Sequence, residues 1–263
     1  MSRAVHDPPA EATLPKTREP PLSIAAPAEP APSSASRPAR PRDAAATRAR
    51  ILAAAREAFA REGFAGARVE RIAGAAETNV QMIYRYFGDK EGLYRAVLEA
   101  TYAHLRALEQ GLDLAALAPL EGVRRLVEFT FDYLRDTPDF VAIIRNENMA
   151  GAAFARQLPG LGASVRPLLD AIGGLLARGR AEGVFTVAPD AAGLYITILS
   201  LSITHVAQRD TLSALFGFDL GDAAWLARRR AEVVEVVLSY LTAPRGPSPA
   251  AASAKAAPRV RRP

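Results

Sequence analysis

The sequence predicts an all-α fold, and three observations carry that reading. Proline or glycine falls between segments of 8–25 residues. Apolar residues within those segments recur three and four apart, as on one face of a helix. Strictly alternating β-branched runs are missing. The 263 residues divide into a Pro/Ala-rich tail at 1–42, a three-helix unit at 43–90, a larger helical unit at 91–242 and a basic tail at 243–263.

The tails stand apart by composition. Residues 1–42 hold ten prolines and nine alanines without an apolar period. Such a stretch buries too little surface to offset its chain entropy and is expected to be disordered. The final segment, APRGPSPAAASAKAAPRVRRP, reads the same way. The net charge of +5 follows this division: the first tail carries six basic and four acidic groups, the second five basic and none acidic, and the 200 residues between them 22 basic and 24 acidic. The basic excess therefore lies in the tails and does not by itself point to nucleic acid. The absence of cysteine excludes disulfides, thiolate zinc sites and cysteine nucleophiles. No run resembles a signal peptide or reaches the roughly 20 apolar residues of a membrane span. The expectation is a cytoplasmic protein without a membrane partner.

A first helix over 44–62 puts Ile51, Leu52, Ala55, Ala58 and Phe59 on one face, and Gly63 stops it. A short helix over 68–75 holds Val69, Ile72 and Ala73, and a second covers 79–87, NVQMIYRYF. Asp89 is a suitable N-cap for a long helix running to about 110. Further helices are expected near 119–136, 138–149, 163–182, 189–208, 211–217 and 222–242. Pro119, Pro138 and Pro189 each open one, where the missing N–H costs nothing. Pro167 has to lie in a first turn or mark a kink.

Two short helices joined by a tight turn at 76–78, with a longer helix on either side, form a helix-turn-helix arrangement. Ile72, Ala73, Ala76, Ile83 and Phe87 are spaced to face the bracing helices. Val80, Gln81, Tyr84 and Arg85 lie on the other side of the second short helix. Asn79 suits an N-cap and equally a base or phosphate contact. The N-terminus of this helix would bring unpaired N–H groups and a positive dipole end to phosphates. Gln81 and Arg85 carry forked donors of the kind that read purine edges in the major groove.

The stretch GFAGARVERIAGAAETNVQMIYRYFGDKEGLYRAVL resembles the N-terminal domain of the TetR family of bacterial regulators. The matching marks are Gly63-Phe64, Val69 with Ile72-Ala73, Ala75-Ala76, Ile83-Tyr84 with Tyr86-Phe87, and Lys90-Glu91 with Leu93. The resemblance implies a DNA-binding domain at 43–90 whose second short helix enters the major groove of double-stranded operator DNA. It places Tyr84, Tyr86 and Lys90 on backbone phosphates. Arg68 stands where the family has a capping hydroxyl, and the expectation is that it substitutes for that group's phosphate contact. Glu77-Thr78-Asn79 replaces the family's Gly-Val-Ser turn.

In the C-terminal half, 189–208 is apolar nearly all round and must be buried on most sides. Segment 222–242 puts Leu226, Val233, Val237, Tyr240 and Leu241 on one face and Arg228–Arg230 on the other. The resemblance implies a homodimer joined by a four-helix bundle of these two late helices and their copies. IIRNENMAG, the run at 175–198 and RDTLSALFGFDL look like the C-terminal domain of the RutR-like subgroup, several members of which bind small molecules. Ala207-Gln208-Arg209-Asp210 departs from that subgroup's Asn-Arg or Asn-His, so no ligand identity follows. The expected effector pocket lies between the helices at 119–136, 138–149, 163–182 and 189–208, with Tyr133, Arg145, Asn148, Phe154, Tyr195 and His205 as its polar or aromatic groups. His205 also fits a core or interface histidine with one partner.

No P-loop, HExxH or G-x-S-x-G occurs, so no catalytic residues are expected. His6, His104 and His205 are too scattered for a metal site, and no cofactor is implied. The sequence thus points to an all-α, dimeric DNA-binding transcription regulator, a repressor released by an unidentified small molecule. Two rivals stand beside it: a regulator whose C-terminal domain only dimerises or binds a protein partner, and an enzyme of all-α fold.

Overall fold

The computed structural model of the chain describes residues 41–187 and 189–244. The elements are α1 (Pro41–Gly66), α2 (Val69–Ala75), α3 (Val80–Phe87), α4 (Lys90–Gln110), α5 (Pro119–Asp136), α6 (Pro138–Met149), a 3₁₀ turn (Ala155–Gln157), α7 (Leu161–Ser164), α8 (Arg166–Ala181), α9 (Ala191–Ala207), α10 (Arg209–Phe216) and α11 (Ala223–Thr242). Among the described residues there is no strand. The expected tails lie outside the described residues, apart from 41–42, where α1 already begins, and 243–244.

Local chemistry sets most of the boundaries. Asn79, Asp89, Asp190 and Asp222 each accept a bond from a backbone N–H three residues on and so cap α3, α4, α9 and α11. Pro119 and Pro138 open α5 and α6. The helix expected over 163–182 divides into α7 and α8, and Pro167 lies in the first turn of α8. Gly63 turns the chain at φ 68°, after which α1 continues to Gly66.

Two main cores result. In the N-terminal unit Ile51, Phe59, Ile72, Ile83, Leu93 and Leu98 are fully buried, and Ile143 of α6 enters the same cluster. Phe59, Phe64, Tyr94 and Phe154 add linked ring contacts 4.7–6.4 Å apart. In the C-terminal unit Leu126, Phe131, Ile172, Leu175, Ile198, Val233, Val237 and Leu241 form the second core. Gly122 permits the close approach of α5 to α8, because a Cβ there would overlap the Leu175 side chain. A smaller cluster of Leu105, Tyr133, Leu134, Phe140 and Val141 joins α4, α5 and α6. Helix α6 thus reaches both units.

The expected dimer seam needs correction at the residue level. Val233, Val237 and Leu241 point into the chain's own core, with Val237 only 1% exposed. The large apolar residues left outward on α9 and α11 are Ile196 (61% exposed), Val236 (50%) and Tyr240 (46%). Val233, Val237 and Leu241 of the expected face are taken up by the chain's own core and are not free for a second chain, whereas Tyr240 of the same face stays outward.

Candidate nucleic-acid interface and C-terminal cleft

Helix α3 is anchored by Ile83, which is fully buried, while Gln81, Tyr84 and Arg85 are exposed and Val80 is half-buried. Asn79 is engaged as the cap, its Oδ1 accepting from Met82 N at 2.9 Å. Tyr86 is half-buried against Phe87. Gly88, at φ 82°, ends the helix, and Asp89 starts α4 by accepting from Gly92 N at 2.6 Å. Lys90 Nζ donates to Ala65 O at 3.3 Å and lies 4.9 Å from the Phe64 ring centre. Arg68 precedes α2 as an exposed residue that makes no side-chain capping bond. Glu77 holds φ 50°, the left-handed conformation that glycine adopts freely.

Two further cations flank α3. The Arg48 guanidinium lies 5.2 Å from the Phe87 ring centre. Arg50 Nε donates to Ala76 O at 3.2 Å. Periodicity shows both as exposed positions of α1 and gives no sign of these contacts. The surface around α3 therefore carries forked donors at its centre and cations at its edges. That arrangement can read base edges and hold phosphates.

In the C-terminal unit the six sequence-expected pocket residues do not surround one space. Arg145 and Asn148 are exposed on the outer side of α6, whose inner side is Phe140, Ile143 and Glu147. Phe154 packs against Phe64 and Tyr94 at the N-terminal unit. Tyr133 is buried between Phe129 and Phe140. His205, 5% exposed, stacks on Phe131 at 4.6 Å, and neither ring nitrogen has a hydrogen-bond partner. Burial, with Arg229 and Arg135 nearby, lowers its pKa to about 4.

Tyr195 leads to the remaining polar centre. Its hydroxyl donates to Glu109 Oε1 at 2.7 Å, and Arg106 Nη1 lies 2.7 Å from Glu109 Oε2. Burial pushes the Glu109 carboxyl above the usual carboxylate range, against the opposing pull of Arg106 and Tyr195. Arg106 and Glu109 border a cleft of about 180 Å³ completed by Gln110, Ser164, Leu168 and Ala171. Sequence reading missed this pair, although a signal existed: Glu109 continues the buried stripe of Leu98, Thr101 and Leu105 on α4. An acid on an apolar stripe needs a partner. No group of three His, Asp or Glu among the described residues is placed to hold a metal ion. No single helix among them is long and apolar enough to cross a membrane.

Two family descriptions match the chain: "Bacterial regulatory proteins, tetR family" over residues 51–97 and "Tetracyclin repressor-like, C-terminal domain" over 119–237. The chain is 37% identical over 184 residues to the HTH-type transcriptional repressor NicS of Pseudomonas putida, covering 68% of this chain and 87% of NicS. It is 32% identical over 117 residues to the HTH-type transcriptional regulator RutR of Escherichia coli, covering 43% of this chain and 53% of RutR. The crystal structure of the putative transcriptional regulator SCO4942 from Streptomyces coelicolor superposes with a TM-score of 0.56 at 29% identity, over 75% of this chain and 99% of that one.

Proposed function

The chain belongs to the TetR family of bacterial regulators, and from that premise we propose that it is a dimeric repressor released from its operator by a small molecule. The observation that carries this reading is the presentation of α3: held from behind by Ile83, capped by Asn79, and showing Gln81, Tyr84 and Arg85 outward. Gln81 reads bases in the major groove. Tyr84, Tyr86, Lys90 and Arg68 hold phosphates, and Arg85 serves either purpose. A second chain packs on Ile196, Val236 and Tyr240 of α9 and α11, giving two α3 helices for two half-sites. The curated relative NicS is named a repressor, which supports the sign of regulation.

The effector site of this reading is the cleft bordered by Arg106 and Glu109, the latter held by the Tyr195 hydroxyl. It lies where α4 meets α7 and α8, so occupancy bears directly on the helix that carries the DNA-binding unit. A ligand shifts the operator-binding state only by its difference in affinity for the two states. The volume of about 180 Å³ suits a ligand of one ring. It is below the roughly 300–1,000 Å³ of drug-sized sites. That small volume favours a second reading, in which the C-terminal domain only dimerises or binds a protein partner. Selection of bound duplexes from a random pool tests the proposal. It should return a two-fold site with half-sites about 34–36 Å apart. Screening one-ring metabolites for release of that duplex separates the two readings; release by none supports the second.

A further inference from the structure

The turn between α2 and α3 is held from outside by one side chain. Arg50 of α1 donates its Nε–H to the carbonyl of Ala76 at 3.2 Å. Ala76 is the C-cap of α2, and its carbonyl is one of the acceptors that a helix end leaves without an internal partner. The next residue, Glu77, stands at φ 50°. A non-glycine residue keeps such a conformation where its surroundings fix it. Two residues further on, Asn79 caps α3. The bond from Arg50 therefore sits at the root of α3, the helix that shows Gln81, Tyr84 and Arg85 outward. Arg50 Nη2 lies 3.5 Å from Thr47 Oγ1, and that hydroxyl donates to Asp43 O at 2.8 Å.

Resting on the reading that α3 enters the major groove, we propose that Arg50 is a positioning residue for operator recognition. Its bond to Ala76 sets the direction in which α3 leaves the turn, and so governs discrimination between operator and other DNA. A charge at position 50 would do something different: it would raise affinity for all duplexes alike.

Lysine separates the two roles, because it keeps the charge but has no donor at the Nε position. Arg50→Lys should lose about five- to tenfold in operator affinity, the worth of one hydrogen bond. Its affinity for an unrelated duplex and its salt dependence should stay at the parental values. Arg50→Met should show the same loss of discrimination. In a Glu77→Gly background the turn needs less support, so Arg50→Lys should there cost no more than about twofold. Circular dichroism establishes that each variant is folded. An Arg50→Lys protein with the parental ratio of operator to unrelated-duplex affinity would overturn the proposal. Equal losses in the two backgrounds would overturn it as well, and this comparison serves if the single variant folds poorly. A parental protein without any sequence preference would sink the proposed function itself, and this inference with it.

Discussion

The Tyr94 hydroxyl donates to Glu147 Oε2 at 3.1 Å, joining the second turn of α4 to the end of α6. The same carboxylate accepts the backbone N–H of Phe154 at 2.7 Å and of Ala155 at 2.8 Å through Oε1. Beside it, Asn146 Nδ2 donates to Phe59 O at 3.2 Å. The end of α6 therefore grips α1 and α4 together, and Glu147 is a buried carboxylate with three protein donors.

Glu147→Ala should cost about 3 kcal/mol of stability, because two buried N–H groups and one hydroxyl lose their acceptor. Tyr94→Phe should cost about 1 kcal/mol, since it removes one donor and leaves the carboxylate with its other two bonds. Urea denaturation of both variants checks the difference. Equal losses would mean that the backbone bonds to Glu147 contribute nothing.

Acid should act on His205. Its pKa falls from the ordinary value of 6.5 to about 4 in the folded chain, so the unfolded chain holds the extra proton between those values. Stability tied to this residue is fully present above pH 6.5 and is lost as pH falls from 6.5 towards 4. The loss approaches about 1.4 kcal/mol per pH unit in that window. His205→Phe, which keeps a ring beside Phe131, should remove this share of the acid sensitivity. Denaturation midpoints of parent and variant at pH 7 and pH 5 measure it; parallel declines would contradict the assignment.

Glu77→Gly should relieve the left-handed strain and raise stability by about 0.5–1 kcal/mol. It also removes a negative charge from the turn beside the surface proposed to face phosphates, so operator affinity should rise. Glu77→Gln, which removes only the charge, should raise affinity without the gain in stability. Thermal melts and binding isotherms of the two variants separate the causes. A destabilised Glu77→Gly would show that the turn is not strained there.

Val236→Asp and Val237→Asp should behave differently although they are neighbours. Val236 is half exposed on the outer side of α11 and Val237 is in the core. The first substitution should give folded monomers with weak operator binding. The second should unfold the C-terminal unit, because a buried unpaired carboxylate is not tolerated. Sedimentation and circular dichroism report both, and a dimeric Val236→Asp protein would count against the proposed seam.

Much of this architecture was legible in the sequence, because caps and prolines write helix boundaries directly. Pro119, Pro138, Asn79, Asp89 and Asp222 stand where the structure starts its helices. The faces of apolar helices were harder. Around Val237 several neighbours are apolar, so spacing alone did not say which side meets the chain's own core. The candidate cleft was hidden for a related reason: Arg145 and Asn148 looked polar beside an apolar run and lie outside, whereas Glu109 and Glu147, acids on the buried stripes, are inside. The contacts of Arg48 and Arg50 are tertiary and leave no trace in periodicity.

The proposed division of labour, in which α3 reads sequence while its flanks hold the backbone, can be checked by selection from randomised operators combined with a salt titration. A forked base contact is worth about 1–3 kcal/mol of discrimination, and a phosphate contact carries no sequence information directly. Gln81→Ala should relax the preference at one or two base pairs of each half-site and keep the parental salt slope. Lys90→Ala should keep the parental preference, weaken binding to all duplexes and reduce the slope by about one. A Gln81→Ala protein that retains the parental sequence preference, beside a Lys90→Ala protein that changes it, would exclude this placement of α3 in the groove.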